Sequence, residues 1–521
     1  MIQKGNIIKI SGGTLSESAS QDYTAFANNI HTNASNKIIE NSKDGVVYGE
    51  PKKGVTKDDL VNITVGMFFD GTGNNRKNID YASDKKSSNY YKSVGWKFKW
   101  QDNTSYKNDR TNVDNLEKMY KQETLYFSLY IEGIGTEDGE YDDLTDMGIA
   151  TGDKGVRGKV RVGCENLVET IQAKTQKNIG TLTVDVFGFS RGAAAARNFV
   201  HELTKAPYQA RRSGDPKDFR IFDADRKPVT RKELPARGHF GLQMEKAGLK
   251  VNFVNIRFAG LFDTVSAYGL VHSNDVKELN LNAINRASKI VHLTAADEHR
   301  RLFELTSVTK GTELSLPGVH SDIGGSYVDN EVEEVSLAEE MLSVINREKL
   351  INDEKNRLIS QGWYRAEQMS NTQPYKLVGS RTLRNKYSLI PLHLMFEMGL
   401  STCGFVQTLI NNNTYKIPAI PLKGTKWTLI DVYKRLQAYA GHTAPSMVFN
   451  DSNQLNSIKR MVDRGFYAAD KYAATEKDAK MLYELRNKFL HFSSSWDGVG
   501  KEPNINEKGQ RERDVFNKIS S

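Results

Sequence analysis

The sequence predicts an α/β fold: a mostly parallel sheet flanked by helices, followed by a helical C-terminal extension or lid. Three observations carry that expectation. Apolar runs of strand length alternate with helix-length segments between residues 61 and 330, as in parallel strands joined by crossover helices. Three of those runs end at or beside glycine, which marks sharp turns. Beyond 330 the pattern turns helical.

Residues 1–60 are polar, rich in Ser, Asn, Gly and Lys, with one strand-like run at 6–11. They read as an arm, adaptor segment or partly mobile leader. Residues 61–69 are mostly apolar, so a strand is expected, and it stops at the turn chemistry of Asp70-Gly71-Thr72-Gly73-Asn74-Asn75. A polar stretch to about 110 precedes a short helix at 112–121 and a strand at 123–131. Glycine-rich 148–163 leads into a helix at 162–177. Residues 181–187 (TLTVDVF) alternate as a strand does, 188–192 form a tight turn, and 193–204 an alanine-rich helix. The polar, mostly basic stretch 205–246, with four prolines, reads as an insertion outside the core. Strands are expected at 250–258, 290–295 and 314–316, and helices at 331–360, 391–400, 428–440, 453–472 and 479–489. The implied divisions are 1–60, 61–330 and 331–521, the last packed on or capping the second. There is no internal repeat.

Composition narrows the class. The chain has 521 residues, 38% hydrophobic and 26% charged, which fits a soluble globular protein. Its net charge of +8 is diffuse. Without a basic stripe interleaved with aromatics it argues against nucleic acid, while suiting an acidic surface or partner. Two cysteines, Cys164 and Cys403, are too few for a disulfide scaffold or a zinc site and read as separate buried thiols. The first twenty residues lack an apolar core and a small-residue cleavage pattern, so no Sec-type signal is expected. Action outside the cytoplasm then requires a dedicated export machine. The most apolar window, 390–410, carries His393 and Glu397 and reads as a buried helix, not a membrane span.

The chemistry starts at Gly188-Phe189-Ser190-Arg191-Gly192, which fits G-x-S-x-G between a hydrophobic strand and a small-residue helix. In such an elbow the chain reverses sharply, the glycines avoid clashes, and the serine hydroxyl is exposed near the positive end of the helix. A nucleophilic serine there requires an acid and then a histidine, in that chain order. Asp263 directly follows an expected strand, and His320 lies in the glycine-flanked loop Pro317-Gly318-Val319-His320-Ser321-Asp322-Ile323-Gly324-Gly325. The rival histidine, His491, sits in an apolar helical setting that suits a core residue. Asp322 has two readings, a loop organiser or an ion ligand. Oxyanion donors are expected from the backbone of Arg191 and from Gly71 in the loop after the first strand, with Asp70 and Thr72 in support. A competing reading makes Asp70 and the Asn pair metal or phosphate ligands, though no second carboxylate stands at ligand spacing nearby.

Five segments, FFDGTGNN, GFSRGAAAAR, GLFDTV, HLTAADEHRRLFEL and LPGVHSDIGGSY, occur in an order that resembles the bacterial type VI secretion phospholipase (lipase) effectors. The resemblance covers roughly residues 60–330. It implies an α/β-hydrolase domain, glycerophospholipid ester hydrolysis, and triad roles for Ser190, Asp263 and His320. The Asp297-Glu298-His299-Arg300-Arg301 segment matches another family motif and is expected to brace the His320 loop. The resemblance further implies synthesis in the bacterial cytoplasm, delivery to the periplasm or membrane of a target cell, a cognate immunity protein, and a secretion spike or carrier. No metal or organic cofactor is required, and calcium is left open. The first sixty residues do not match, so the loading mode stays open. The 205–246 insertion and the 390–410 window have two readings, contact with anionic lipid and acyl chains, or an ordinary loop and core helix. Rival functions are a carboxylesterase or acyltransferase on small soluble esters, a non-catalytic binding module, and a metal-dependent phosphoesterase centred on Asp70.

Overall fold

Six strands build the central sheet: β1 (Leu60–Phe69), β2 (Tyr126–Ile131), β3 (Asn178–Phe189), β4 (Val251–Phe262), β5 (Lys289–Ala295) and β6 (Thr312–Leu316). They come from a computed structural model that describes residues 60–83, 104–143, 153–212, 221–266, 276–339, 347–373, 375–498, 500–507 and 509–517. The expected N-terminal arm and its strand-like run lie outside these residues. The sheet order is β2-β1-β3-β4-β5-β6. β1 pairs with β2 in parallel, as do β3 with β4, β4 with β5, and β5 with β6. The connections therefore run one way from β1 to β2 and the other way from β3 onward. In open α/β sheets the crevice beyond the strand ends at such a reversal is where ligands bind.

Alternation along the strands fills both faces. On one face lie Met67 and Phe69, Val184 and Val186, and Ala259 and Leu261. Helices α3 (Val156–Lys174) and α4 (Arg191–Leu203) cover it. They follow α1 (Arg76–Ser83) and α2 (Asn112–Lys118) in the chain. The Ala193–Ala196 run leaves no bulk between α4 and the sheet, and all four alanines are buried. The other face carries Phe68, Phe187, Phe258 and Phe262, and its core runs on into Ile390, Leu394 and Met395. Residues Val61–Ser521 form one compact unit.

Three expectations are corrected. The 205–246 insertion is not wholly outside the core. It ends in α5 (Gly238–Lys246), whose Phe240 and Met244, one helical turn apart, pack with α3 and α4. Its residues 213–220 lie outside the described set. Residues 331–360 are not one helix. Glu331–Glu339 is a strand, β7, which lies between α6 (His320–Gly324) and α7 (Arg347–Ser360). The strand β9 (Lys376–Leu383) pairs antiparallel with β7 and with β8 (Met369–Gln373). Glutamate favours helix, but Val335 and Leu337 two apart must both reach the core, and only a strand puts them on one face. The 453–472 segment breaks at Gly465, which takes a left-handed φ of 76°.

The 390–410 window is core in its first part, whereas Ser401, Val406, Gln407 and Thr408 are exposed. In α8 (Leu389–Leu400) every residue from Leu389 to Phe396 is buried, and His393 Nε2 meets the Tyr415 carbonyl at 2.9 Å. No helix among the described residues is long and apolar enough to cross a membrane. Three further helices, α9 (Leu429–Ala440), α10 (Ser452–Asp463) and α11 (Ala469–Lys488), complete the C-terminal part.

Phe187 is a keystone of the face beneath α8. It is fully buried, stacks on Phe68 with centroids 4.6 Å apart, and touches Phe258 and Phe405. Phe187→Ala is expected to cost about 3–5 kcal/mol, read as a lower midpoint in chemical denaturation.

Candidate active site

Each candidate residue follows a strand at the carboxyl edge of the sheet. β3 and β4 run level there, with Gly188 opposite Leu261 and Phe189 opposite Phe262. Ser190 N–H donates to the Phe262 carbonyl at 3.0 Å, and Asp263 N–H to that of Leu293 at 2.8 Å. Ser190 and Asp263 are thus fixed on adjoining strand ends by backbone bonds.

The elbow is visible in the backbone. Ser190 has φ 59° and ψ −130°, a conformation that L residues rarely adopt. Side chains at the flanking glycines would collide. A Cβ on Gly188 would meet the Gly192 carbonyl oxygen at 2.5 Å, and one on Gly192 would meet that of Asp70 at 2.1 Å. Gly192 thereby lets the loop after β1 lie against the start of α4. The Ser190 hydroxyl makes no cap bond to α4 and has no hydrogen-bond partner among the described residues.

Asp263 and His320 are joined. His320 Nδ1 lies 2.5 Å from Asp263 Oδ2, with both residues buried. This bond points Nε2 away from the carboxylate, and Nε2 has no partner among the described residues. No hydrogen bond links it to Ser190 Oγ; in free enzymes such contacts are often long and tighten when substrate arrives. The imidazole is held between Phe189 and Phe303, at 4.6 and 5.0 Å between centroids.

A cation that sequence reasoning missed completes the pair. Arg513 forks onto Asp263, Nη1 to Oδ1 at 2.7 Å and Nη2 to Oδ2 at 2.8 Å, and Ala295 N–H adds a bond to Oδ1 at 2.9 Å. Burial pushes the Asp263 carboxyl up, but the charge of Arg513 and the His320 contact outweigh it and hold it well below the usual range. Burial likewise lowers the His320 pKa, with Asp263 opposing. No motif marks Arg513, which stands 250 positions after its partner.

The loop that carries His320 is braced by carboxylates. Glu298 Oε2 accepts His320 N–H at 3.2 Å, and Asp297 Oδ2 accepts Gly318 N–H at 2.7 Å. Glu298 also pairs with Arg300 at 2.9 Å. Asp322 serves as a loop organiser in this structure. Its Oδ2 accepts Val319 N–H and His491 N–H, both at 3.0 Å, and its Oδ1 meets His491 Nδ1 at 2.8 Å. His491 is buried and stacks on Tyr327, so the rival histidine is committed elsewhere.

The loop after β1 differs from expectation at Gly71. Its N–H donates to Asp70 Oδ1 at 2.7 Å and so does not face an open oxyanion position. The reason is local: a carboxylate reaches the N–H of the next residue easily, and Tyr130 OH clamps its second oxygen at 2.6 Å. The asparagines hold the loop. Asn74 Nδ2 donates to the carbonyls of Gly71 and Thr72, and Asn75 Oδ1 accepts N–H bonds from Lys77 and Asn78. Arg191 Nε donates to Thr72 Oγ1 at 2.9 Å, tying this loop to the elbow, and burial lowers the Arg191 pKa to about 10. No group of three His, Cys, Asp or Glu side chains among the described residues is arranged to hold a metal ion.

Residues 65–348 match the family model described as T6SS, phospholipase effector Tle1-like, catalytic domain. The chain is similar to the solved structure of the Tle1 effector bound to the VgrG spike from the type 6 secretion system, at 21% identity and a TM-score of 0.49, covering 88% of this chain and 94% of that one. It is also similar to an uncharacterized protein from Pseudomonas aeruginosa, at 17% identity and a TM-score of 0.33, covering 84% and 65%. No curated protein matches it.

Asp70 titrates where it can be seen. Burial, with the Asp114 charge adding and the Tyr130 and Thr111 bonds opposing, pushes its carboxyl from 3.8 up to about 7. The fold therefore keeps a proton that the open chain has released, so Asp70 removes stability as pH rises from about 4 to about 7 and no more above that. Asp70→Asn is expected to abolish this slope. Denaturation midpoints of the variant should gain on wild type across that window and run parallel to it above.

Proposed function

The chain belongs to the Tle1-like phospholipase effectors of type VI secretion, and on that premise we propose that it cleaves a glycerophospholipid ester by a serine mechanism through an acyl-enzyme. The observation that carries this reading is the buried Asp263–His320 pair at the same sheet edge as the Ser190 elbow. In the proposed cycle His320 Nε2 takes the Ser190 proton as Oγ attacks the ester carbonyl. Asp263 holds Nδ1–H and stabilises the imidazolium. The proton passes to the departing lysolipid oxygen, and water, activated by the same imidazole, releases the fatty acid. Oxyanion donors are the backbone N–H of Arg191, first in α4, and that of Thr72. Thr72 replaces Gly71 in this role, since the Gly71 N–H is taken by Asp70.

The phospholipase A-type assignment, the membrane substrate, delivery to a target cell's periplasm or membrane, a cognate immunity protein and a spike carrier belong to the same proposal. Family membership supports export by the type VI route. The mechanism requires no metal.

Ser190→Ala is expected to lower ester hydrolysis by about 10⁴-fold or more while leaving the thermal melt near wild type. Asp263→Asn and His320→Ala should fall to a similar floor, because triad members act as a unit. Mass spectrometry of mixed phospholipids, wild type against Ser190→Ala, reads fatty acid and lysolipid directly; unchanged product in the variant would refute the nucleophile. Because burial lowers the His320 pKa, the acid limb of kcat/KM should lie below the ordinary imidazole range.

A further inference from the structure

We propose that Arg513 is a positioning residue for Asp263, and that the C-terminal strap carrying it is an integral part of the active site. This rests on the serine-esterase reading above.

The strap is docked along its length. Residues 515–516 pair in parallel with 305–306, with Leu305 opposite Val515 and Thr306 opposite Phe516. Upstream, Arg301 N–H donates to the Glu502 carbonyl, and Arg300 bridges to Pro503. Between these anchors the Arg513 guanidinium makes four hydrogen bonds. Two form the fork onto Asp263, and the others go from Nε to the Phe303 carbonyl at 2.7 Å and from Nη1 to that of Ala295 at 3.3 Å. One guanidinium plane fixes the carboxylate of Asp263 and the backbone of Phe303, whose ring lies against His320. Arg513 thus controls both the bond to Nδ1 and the wall that stops the imidazole from tilting.

The electrostatics run against a merely helpful charge. A cation on Asp263 draws on the same anion that must stabilise the imidazolium, and it repels a proton on His320. Its contribution is aim: a bidentate fork leaves the carboxylate one orientation, with Oδ2 facing Nδ1. The other charged groups facing the pair are Glu298 and Arg300 from the segment after β5. Neither contacts the Asp263 carboxylate, so neither can substitute for the fork.

The test uses the full-length chain, a soluble p-nitrophenyl acyl ester for pH profiles, and phosphatidylethanolamine/phosphatidylglycerol vesicles for lipid turnover. Arg513→Gln is expected to lower kcat/KM about 10- to 100-fold, the range for a lost bond to a charged group. Its acid limb should move to higher pH by about one unit, because His320 loses a repelling charge and binds its proton more readily. Arg513→Lys keeps the charge and loses the fork, so its acid limb should stay near wild type while the rate falls. A structural role alone lowers melt and rate without moving the limb. An unmoved limb in Arg513→Gln, or a wild-type rate in Arg513→Lys, would overturn the proposal. If Arg513→Gln does not fold, Arg513→Lys is read against its own melt: a lower rate at a wild-type melt supports the proposal, and a rate that falls only together with the melt overturns it. Ser190→Ala is run beside them: turnover surviving there defeats the esterase reading, whatever Arg513 does.

Discussion

A carboxylate sealed from water stays ionised only where cations and N–H donors meet it, and the active edge of this protein is arranged around that demand. Asp263 has no exposed surface. Its oxygens are met by Arg513, by Ala295 N–H and by His320. Two more buried carboxylates then hold the histidine's loop: Glu298 on the His320 N–H, and Asp322 on Val319 and His491. The ring, the backbone and the loop of one residue are thus each tied to a different carboxyl group.

Asp70 shows what happens without the cation. It ends β1 as Asp263 follows β4, and it is nearly as buried. Its partners are a phenol, a hydroxyl and one N–H, so burial prevails and the pKa rises to about 7. The arginine fork on Asp263 reverses that outcome. Two aspartates at the ends of strands on either side of β3 are therefore shifted in opposite directions, Asp70 upward by burial and Asp263 downward by Arg513 and His320.

Much of this was legible in the sequence, and the reasons are physical. Apolar runs at 61–69, 181–187 and 250–258 mark strands because parallel strands are buried on both faces. The glycines at 188 and 192 mark the elbow because only they tolerate its contacts. What escaped depended on distant partners. The strand Glu331–Glu339 reads as helix from its glutamates, and its pairing with Lys376–Leu383 is not encoded locally. Gly71 looked available because its local sequence does not show where the Asp70 side chain turns. Arg513 is one of 72 basic residues and carries no periodicity or motif that sets it apart.

The separation of Asp263 from Arg513 sets an order of events in the life of the chain. Synthesis runs from the N-terminus, so the sheet strands and the loop bearing His320 can collapse while residue 513 has not yet been added. At that moment the carboxylate lacks the cation that keeps it ionised, and the wall behind the imidazole is unpinned. A chain grown past His320 but not yet to Arg513 therefore holds a formed scaffold with an unfinished centre, and competence waits on the arrival of that one arginine.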